Sequence, residues 1–528
     1  MKRTAMKITN CTLHAAIVLP VVFSTSTTAA PETLGIERQE LDLEAVLDAA
    51  KRAAKRDSWG ELEDGLHLQG TTDTGGVEGS FELFLAPDGR YRYEQGGRLA
   101  RRVSFDGQRL STRVRKGPAN LLEQGDRDPW HYSQWLQGGF WLDPACPLDI
   151  ELIGQSPDEI TLQLSLPDSP TPGHLSLDRG SWLPKELRRE SLGGETVLRF
   201  QDYEEVAGVP LARVVVNEAH GEEGVLRVRD ARPAAADPGD RYEHDLSPPS
   251  DVHFDDESGP SVELKRAVSG HLLVHPLVEG QDVGWFILDT GAGQVCIDPK
   301  VAEALELEEF GSVPAVGVAG AVRASYRQGT TLELGPMSID DPVYVEIDLA
   351  FLSPIFGVEV AGICGYEIFA RAIVSLDLEE PSLALHSPGA LRLDEDAWSP
   401  LILGSRVPSV RCRFEGDREG LFKLDLGDSG TISFYSPAVR SLGLLDGRAV
   451  EASQVGGVGG TGAAVTGTLE WFELGGHRVE ALPVTFSQAE SGVFSSAHAL
   501  GNLGSEMLKP FQVVFDYPNA RIALLPRE

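Results

Sequence analysis

The stretch W-F-I-L-D-T-G-A-G, residues 285–293, runs four apolar residues directly into Asp289 and then into small residues. Such an apolar run predicts a buried strand, and the glycines after it allow a sharp turn that leaves backbone amides near the carboxylate. A carboxylate held at a strand end among hydrogen-bond donors can position and activate a water molecule. The stretch therefore predicts a strand that presents an acid for hydrolysis.

A second copy of this stretch lies later in the chain. F-I-L-D-T-G-A-G at residues 286–293 aligns without a gap with F-K-L-D-L-G-D-S at residues 422–429. Asp289 therefore corresponds to Asp425, and the C-terminal half of the chain is interpreted as a repeat of one unit.

The repeat continues downstream of both aspartates. Residues 361–385 match residues 500–524, which places Gly365 on Gly504. In both copies a predicted N-cap residue precedes a proline at the first position of a helix, at Asp298-Pro299 and at Ser436-Pro437. Two copies of one lobe are therefore expected to face each other.

The apolar-apolar-D-T-G-A of the first copy and the later I-C-G and N-L-G steps resemble the aspartic peptidases. The resemblance covers residues 262–527 and is to the retropepsin-like and pepsin-like group, with both lobes in one chain. It implies a mainly β fold with two barrel lobes. These are residues 262–390 and 400–528, called the first lobe and the second lobe below.

Carried over position by position, the resemblance implies that Asp289 and Asp425 form a catalytic pair. The active-site loop residues would be Thr290, Gly291, Ala292, Leu426, Gly427 and Asp428. Two carboxyl groups a few ångströms apart share a proton, so one acts as a base on water while the other polarises the peptide carbonyl. The expected substrate is a peptide or protein, and this chemistry requires no metal or cofactor.

The second copy departs from the family pattern at two positions. The family threonine links the two loops by hydroxyl hydrogen bonds, which Thr290 can form and Leu426 cannot. Asp428 stands where the first copy has Ala292. If Asp428 pointed inward it would raise the proton affinity of the pair, whereas it could instead cap local amides. These departures leave a catalytically impaired, peptide-binding protein open as an alternative.

Flaps that exclude water from the cleft are expected at residues 316–326 and 455–465. The second contains G-V-G-G-T-G, residues 457–462, which also fits the dinucleotide pattern G-x-G-x-x-G. That pattern requires a strand before it and a helix after it, and the sequence predicts neither here. A mobile glycine hairpin is therefore favoured over a nucleotide site.

The charge balance excludes some classes of partner. The chain has 46 Lys and Arg residues against 80 Asp and Glu residues, a net charge of −34. Such a surface repels nucleic acids and anionic lipid headgroups, so neither is an expected partner.

The N-terminus has the composition of a signal peptide. Lys2, Arg3 and Lys7 precede an apolar stretch at residues 13–23 and small residues up to 30. Residues 1–30 are therefore predicted to direct export to the periplasm or the exterior, leaving a monomer without stable membrane insertion. Four dispersed cysteines remain, Cys146, Cys296, Cys364 and Cys412, which favours buried free thiols over a Cys296–Cys364 bridge.

Residues 31–230 are predicted to form an antiparallel β domain with one amphipathic helix at residues 37–59. Alternating strands are expected around a turn at residues 87–89 and at 102–105, 160–166, 195–203 and 212–217. L-P-K-E-L-R-R-E at 183–190 and V-L-R-F-Q-D-Y-E-E-V-A-G-V-P-L at 197–211 resemble the periplasmic lipoprotein-carrier family. That resemblance implies an incomplete barrel that shelters an acyl chain.

The role of this domain is left open by the sequence. It could carry a lipid or lipoprotein as the main activity of the chain, pack against and position the C-terminal part, or act as an inhibitory, propeptide-like cover. A linker rich in proline, glycine and acidic residues is predicted at residues 231–261. Its cluster of His253, Asp255, Asp256 and Glu257 could bind a cation only if a linker enforced the geometry, which is not expected.

Overall fold

The computed structural model describes residues 41–191, 194–236, 241–255, 257–318 and 320–527, and this part of the chain is mainly β-strand. The mainly β architecture expected from the sequence is confirmed. Residues Leu41–Glu528 form one compact unit. The predicted signal peptide lies outside the described residues. None of the helices in the described ranges is long and apolar enough to cross a membrane.

The helices of the described part are short. The α-helices are Leu43–Ala53, Arg56–Trp59, Asp128–Gln137, Pro299–Ala304, Ser353–Phe356, Tyr366–Phe369 and Ser436–Ser441. The 3₁₀ turns are Gln124–Asp126, Phe140–Leu142, Ala350–Leu352, Glu395–Ala397, Gly404–Arg406, Val493–Ser495, Ser505–Leu508 and Tyr517–Asn519.

The amphipathic helix predicted at residues 37–59 is divided in two. Asp42 caps the first helix by accepting a hydrogen bond of 2.8 Å from the backbone N–H of Ala45. The division falls at Lys55, whose φ of 48° is left-handed and incompatible with a continuing right-handed helix. Residues 37–40 of the prediction lie outside the described part.

Thirteen strands form one antiparallel N-terminal sheet. In chain order they are Leu66–Thr74, Val77–Leu85, Tyr91–Gln95, Arg101–Phe105, Leu110–Val114, Ala119–Leu122, Asp149–Gln155, Glu159–Ser165, Gly173–Asp178, Pro184–Ser191, Gly194–Val206, Val209–Ala219 and Glu222–Pro233. The first strand pairs with the last, so the two edges of the sheet are Ala119–Leu122 and Asp149–Gln155.

Helix Asp128–Gln137 connects the two edge strands and packs into the core of this sheet. Its Tyr132 and Trp135 are buried in one apolar cluster with Trp59 and Trp141. The strands bury alternate residues, as in Glu159–Ser165, because successive side chains point to opposite faces of a sheet. Aromatic side chains therefore pack in the core of the N-terminal sheet. The binding of an acyl chain by this sheet stays a prediction.

The first lobe is built from two sheets. The eight-stranded sheet has the spatial order Leu264–Arg266, Leu272–Val274, Trp285–Leu288, Val360–Cys364, Cys296–Ile297, Val343–Glu346, Gly320–Gln328 and Glu308–Gly317. The five-stranded sheet has the order Val252–Phe254, Met337–Asp340, Thr331–Leu334, Leu277–Val278 and Gln281–Asp282. Strand Trp285–Leu288, predicted from the sequence, is central and its last three residues are buried.

The second lobe contains a closed barrel. Its seven strands have the spatial order Ser409–Phe414, Arg418–Leu424, Gly501–Leu503, Ile432–Phe434, His477–Ser487, Gly460–Leu474 and Glu451–Gly457. Strand Ser409–Phe414 also pairs with Gly460–Leu474, which joins the first six strands of this order into a ring. Closure leaves no free edge among those six strands.

The two lobes share a six-stranded antiparallel sheet. Its spatial order is Ser261–Val262, Ser382–His386, Ile373–Asp377, Phe511–Asp516, Arg521–Pro526 and Trp398–Pro400. At its centre Ser375 pairs with Val514, and these two positions also match each other in the sequence alignment that places Gly365 on Gly504. Equivalent positions therefore meet at the middle of the shared sheet, as a twofold relation between the copies requires.

The predicted linker at residues 231–261 contains packed structure, so the interpretation of this segment as unpacked is wrong in part. Strand Val252–Phe254 pairs with Met337–Asp340, and buried Asp251 forms an ion pair of 2.6 Å with Arg371. Backbone pairing with the first lobe outweighs the proline and glycine content of the surrounding sequence. Asp256 of the predicted cation cluster lies outside the described residues.

The other members of that cluster have different partners. Nε2 of His253 lies 2.8 Å from a carboxylate oxygen of Asp340. Asp255 accepts hydrogen bonds from the backbone N–H of Glu257 and from the hydroxyl of Ser258. The described residues contain no group of three or more His, Cys, Asp or Glu side chains arranged to hold a metal ion.

The two predicted helix starts differ from each other. Asp298 caps its helix by accepting a hydrogen bond of 3.0 Å from the N–H of Lys300, as predicted. The N-cap of the second helix is Tyr435, so the prediction of Ser436 as the cap is wrong. Ser436 instead donates its hydroxyl to the carbonyl of Ala489, 2.6 Å away. Cys146, Cys296, Cys364 and Cys412 are free thiols.

Candidate active site

Asp289 and Asp425 each follow a strand that is held in the same way. Strand Trp285–Leu288 runs parallel to Val360–Cys364, and the N–H of Asp289 donates 3.0 Å to the carbonyl of Cys364. In the second lobe the N–H of Asp425 donates 3.0 Å to the carbonyl of Leu503. The same backbone bond therefore fixes both aspartates at the end of a parallel strand pair.

The glycines of the I-C-G and N-L-G steps let each loop lie against its neighbouring strand. A Cβ atom on Gly365 would lie 2.3 Å from the carbonyl oxygen of Ala292, and one on Gly504 would lie 2.3 Å from that of Gly430. No larger residue fits at these distances. The close approach explains why both copies of the repeat carry glycine here.

The two carboxyl groups meet at one backbone amide. The N–H of Gly427 lies 2.9 Å from Oδ1 of Asp425 and 3.1 Å from Oδ1 of Asp289. Gly291 donates its N–H to the same oxygen of Asp289 at 2.7 Å. A Cβ on Gly427 would lie 2.6 Å from the Asp289 carboxyl group, and a Cβ on Gly291 would lie 2.4 Å from Oδ1 of Asp425. Glycine at both positions allows this approach of the two carboxyl groups.

Thr290 links the two loops from one side. Its hydroxyl donates 2.7 Å to the carbonyl of Leu424 and accepts a hydrogen bond of 3.0 Å from the N–H of Leu426. Leu426 is fully buried in the apolar core and has no side-chain donor or acceptor. Thr290 therefore makes the hydroxyl link from the first lobe, and the second lobe makes no matching link from Leu426.

His271 supplies another link that the sequence analysis missed. Its Nε2 lies 3.0 Å from the carbonyl oxygen of Gly427, and its Nδ1 lies 2.9 Å from the hydroxyl of Ser269. Burial lowers the pKa of His271, so the neutral ring that donates from Nε2 is favoured. The second loop is thus held by two side chains of the first lobe. No signal near His271 in the sequence points to a partner so far along the chain.

Asn502 also contacts the carboxyl pair and was not predicted. Its side-chain amide donates 2.6 Å to Oδ2 of Asp425, and its carbonyl oxygen accepts a hydrogen bond from the hydroxyl of Tyr435. The matched position in the first copy is Ile363. A polar residue in place of a matched apolar one is the signal by which the alignment could have identified Asn502.

Asp428 caps the local backbone, which is one of the two conformations considered from the sequence. Its Oδ1 accepts 2.8 Å from the N–H of Gly430, and its Oδ2 accepts 3.0 Å from the hydroxyl of Ser433. Its carboxylate still lies close enough to raise the pKa of Asp425. Ala292, at the matched position, accepts a backbone hydrogen bond of 2.9 Å from Tyr366.

The pKa values of both carboxyl groups are raised. Burial at the bottom of the cleft is the main cause for Asp289, and bonds from Gly291, Asp425 and Gly427 act against it. The pKa of Asp425 is raised well above its usual range by burial and then by the charges of Asp289 and Asp428. The two groups titrate as a pair, and one proton is shared between them.

The two predicted flaps are hairpins that meet over the carboxyl pair. The first flap is formed by Glu308–Gly317 and Gly320–Gln328, and the second by Glu451–Gly457 and Gly460–Leu474. At their tips the N–H of Val318 donates 2.7 Å to the carbonyl of Val458. The glycine run at 457–462 is thus a hairpin turn. A strand does precede it, contrary to the sequence analysis, and a second strand follows it in place of a helix.

A cleft of about 940 Å³ contains both carboxyl groups. The flap tips form one wall, and the partly exposed apolar side chains of Phe351 and Ile355 form another. The N-terminal sheet contributes Thr112, Val114, Asn120 and Leu122, and helix Asp128–Gln137 contributes Trp130. The sheet domain therefore packs against the C-terminal part and lines its cleft.

Contacts outside the cleft hold the N-terminal sheet against the first flap. The N–H of Ser312 donates 2.8 Å to the carbonyl of Gly75, and Arg98 forms an ion pair of 2.6 Å with Glu308. Gly75 belongs to the other D-T-G of the chain, residues 73–75, which ends strand Leu66–Thr74 and begins the hairpin turn to Val77–Leu85.

Comparison with known proteins gives one family match. Residues 274–368 match the family model of the aspartyl proteases. A comparison with curated proteins finds no match for the chain. The matched range contains Asp289 and ends before the second lobe, so it supports an aspartyl protease-like domain in the first lobe and a peptidase-type function.

Proposed function

We propose that this protein is an aspartic endopeptidase in which Asp289 and Asp425 form the catalytic pair, one from each lobe. The observation that carries the proposal is the single N–H of Gly427, which lies within hydrogen-bond distance of both carboxyl groups. Two carboxyl groups at one donor in a cleft are the arrangement that shared-proton hydrolysis requires.

The pair holds one shared proton, so its two members act differently. Each carboxyl group accepts two hydrogen bonds, Asp289 from the N–H groups of Gly291 and Gly427, and Asp425 from the N–H of Gly427 and the side-chain amide of Asn502. The ionised carboxylate takes a proton from the attacking water while the protonated carboxyl group donates its proton to the oxygen of the peptide carbonyl. Proton transfer to the leaving nitrogen then breaks the C–N bond.

The remaining elements position the substrate. The flaps close the cleft from above, and this excludes bulk water and strengthens the electrostatic interactions inside it. Apolar side chains such as Phe351 and Ile355 suit an extended peptide with apolar residues. Both aspartates belong to one chain, so the proposed enzyme acts as a monomer. Export to the periplasm or the exterior, directed by residues 1–30, is part of this proposal.

The test is the hydrolysis of a reduced, alkylated and unstructured protein, followed by the release of new amino groups. Asp289→Asn and Asp425→Asn are each expected to lower kcat/KM by at least about 10³-fold, because neither variant can share a proton as the pair does. Asp73→Asn is the matched control, since Asp73 occupies the same D-T-G tripeptide outside the cleft. Hydrolysis that survives Asp289→Asn would contradict the proposal.

A further inference from the structure

Arg101 is a cation without an anionic partner among the described residues. Its Nε is buried and has no hydrogen-bond acceptor there, and no carboxylate lies within ion-pair distance of its guanidinium. Two arginines near it in the chain differ in this respect, because Arg98 pairs with Glu308 at 2.6 Å and Arg102 lies 3.4 Å from Glu94. A buried guanidinium nitrogen without an acceptor is unfavourable, so the position of this half-buried side chain indicates a function.

A second arginine, Arg406, lines the same cleft as Arg101. Arg406 lies close enough to lower the pKa of Arg101 by charge repulsion, in addition to the effect of burial. Its guanidinium lies over the ring of Tyr366 at 5.4 Å and is 3.5 Å from the carbonyl oxygen of Gly293. Because Gly293 follows Asp289 by four residues, Arg406 lies at the far end of the Asp289 loop.

Two carboxylates near these arginines bind Arg371. Glu367 lies 3.6 Å from Arg406, but its other oxygen is hydrogen bonded to Arg371. Asp251 makes two hydrogen bonds to Arg371, of 3.0 and 2.6 Å. Arg371 therefore binds both of these carboxylates, and Arg406 shares one of them. Asp126 also lines the cleft, next to Gly404, but it makes no ion pair with Arg101.

Both arginines line the same cleft as the carboxyl pair. Arg101 comes from strand Arg101–Phe105 of the N-terminal sheet, and Arg406 from the turn Gly404–Arg406. Val114 and Ile363 also line this cleft, and an apolar wall strengthens a charge-assisted hydrogen bond relative to water. A planar carboxylate matches the fork of donors that guanidinium groups present.

We propose that Arg101 and Arg406 form a carboxylate-binding subsite, which selects peptides that carry an anionic group at a fixed distance from the bond that is cleaved. The inference rests on the proposed function for the reaction at the carboxyl pair. It also assigns the N-terminal sheet a role in substrate selection, since Arg101 belongs to that sheet. The carboxylate has two sources in a peptide, an acidic side chain and a free C-terminus.

The experiment measures the binding of uncleavable peptides to the full chain at low salt. The probes are hexapeptides in which a hydroxyl-bearing isostere replaces one peptide bond. The parent is uncharged and blocked at both ends. One series of peptides leaves the C-terminal carboxylate of the parent unblocked. A second series places glutamate at each position in turn and compares each peptide with the one that has glutamine there. At least one peptide that carries a carboxylate is expected to bind at least about tenfold more tightly than its neutral match.

The variants test whether the arginines cause this difference. Arg101→Gln and Arg406→Gln should each remove most of the preference for the carboxylate, measured as the ratio of the affinities for the anionic peptide and its neutral match. Arg101→Lys should retain part of the preference, because a point charge replaces the planar fork. Arg109→Gln is the matched control, because Arg109 is an exposed arginine in the turn between strands Arg101–Phe105 and Leu110–Val114 and does not line the cleft.

The outcomes separate this inference from the proposed function. Binding of the neutral parent without any preference for a carboxylate overturns the subsite and leaves the peptidase proposal standing. A preference that persists in both glutamine variants also overturns it. Binding of the anionic members alone, dependent on Arg101, supports the subsite and counts against a working carboxyl pair. If no probe binds, both proposals are wrong.

Discussion

The side-chain amide of Asn502 donates a hydrogen bond of 2.6 Å to Oδ2 of Asp425. The matched residue of the first copy is Ile363, so Asp289 has no equivalent donor from that strand. A donor to a carboxylate favours its ionised form and opposes the burial and the negative charges that raise the pKa of Asp425. Asn502 therefore limits how strongly the pair holds its proton.

Replacing Asn502 by leucine, which is close to it in size, should shift the pH–rate profile to higher pH. The active form carries one proton on the pair, so both limbs of the profile report pair pKa values, and both rise when the donor is lost. A fall in kcat of about tenfold is expected with it. Asn217→Leu, at an exposed position of the N-terminal sheet, is the control. An unshifted profile would mean that Asn502 is only structural.

Replacing Asp428 by asparagine should shift the profile in the opposite direction. The charge of Asp428 raises the pKa of Asp425, so its removal lowers the pKa values of the pair and moves the basic limb to lower pH. Asparagine retains an oxygen for the N–H of Gly430, which keeps the loop in place. The measurement is kcat/KM against pH beside the wild type. A shift to higher pH would contradict this account of the Asp425 pKa.

Replacing Thr290 by valine should destabilise the fold. Valine keeps the shape but leaves the carbonyl of Leu424 and the N–H of Leu426 without their hydroxyl partner. Two unpaired groups in a buried region predict a loss of about 2–5 kcal/mol in the free energy of unfolding. Urea unfolding measures it, with Thr468→Val at an exposed strand position as the control. Equal losses in the two variants would show that the hydroxyl link contributes nothing specific.

Replacing Gly317 by alanine should impair closure of the flaps. A Cβ at this position would lie 2.1 Å from the carbonyl oxygen of Val458, so the contact between the flap tips cannot form unchanged. We expect kcat/KM to fall by about tenfold or more while the melting temperature changes little. Gly456→Ala in the second flap is the control, because its Cβ would come no closer than 3.5 Å to Thr461. Equal kcat/KM values for the two variants would contradict a role for the contact between the flap tips in closure.

The strands and the pairing of the two aspartates could be inferred from the sequence because both depend on local pattern. An apolar run followed by D-T-G-A predicts a strand and a turn wherever it occurs, and the alignment with residues 422–429 needs no structure. The predictions for the linker and for the start of the second helix were wrong because the structure at both places depends on contacts with residues remote in sequence. Strand Val252–Phe254 depends on a partner strand, Met337–Asp340, that is remote in sequence. No local pattern at Ser436 shows that its hydroxyl is bonded to Ala489.

The sequence by itself determined the repeat, the mainly β architecture, and Asp289 and Asp425 as the candidate pair, because these follow from residue types and their spacing. Only the tertiary structure decided what surrounds that pair. His271 and Asn502 reach it across 156 and 77 residues of chain, and Arg101 comes from a different sheet. Electrostatic and hydrogen-bond interactions depend on distance in space, which the order of residues along the chain does not record.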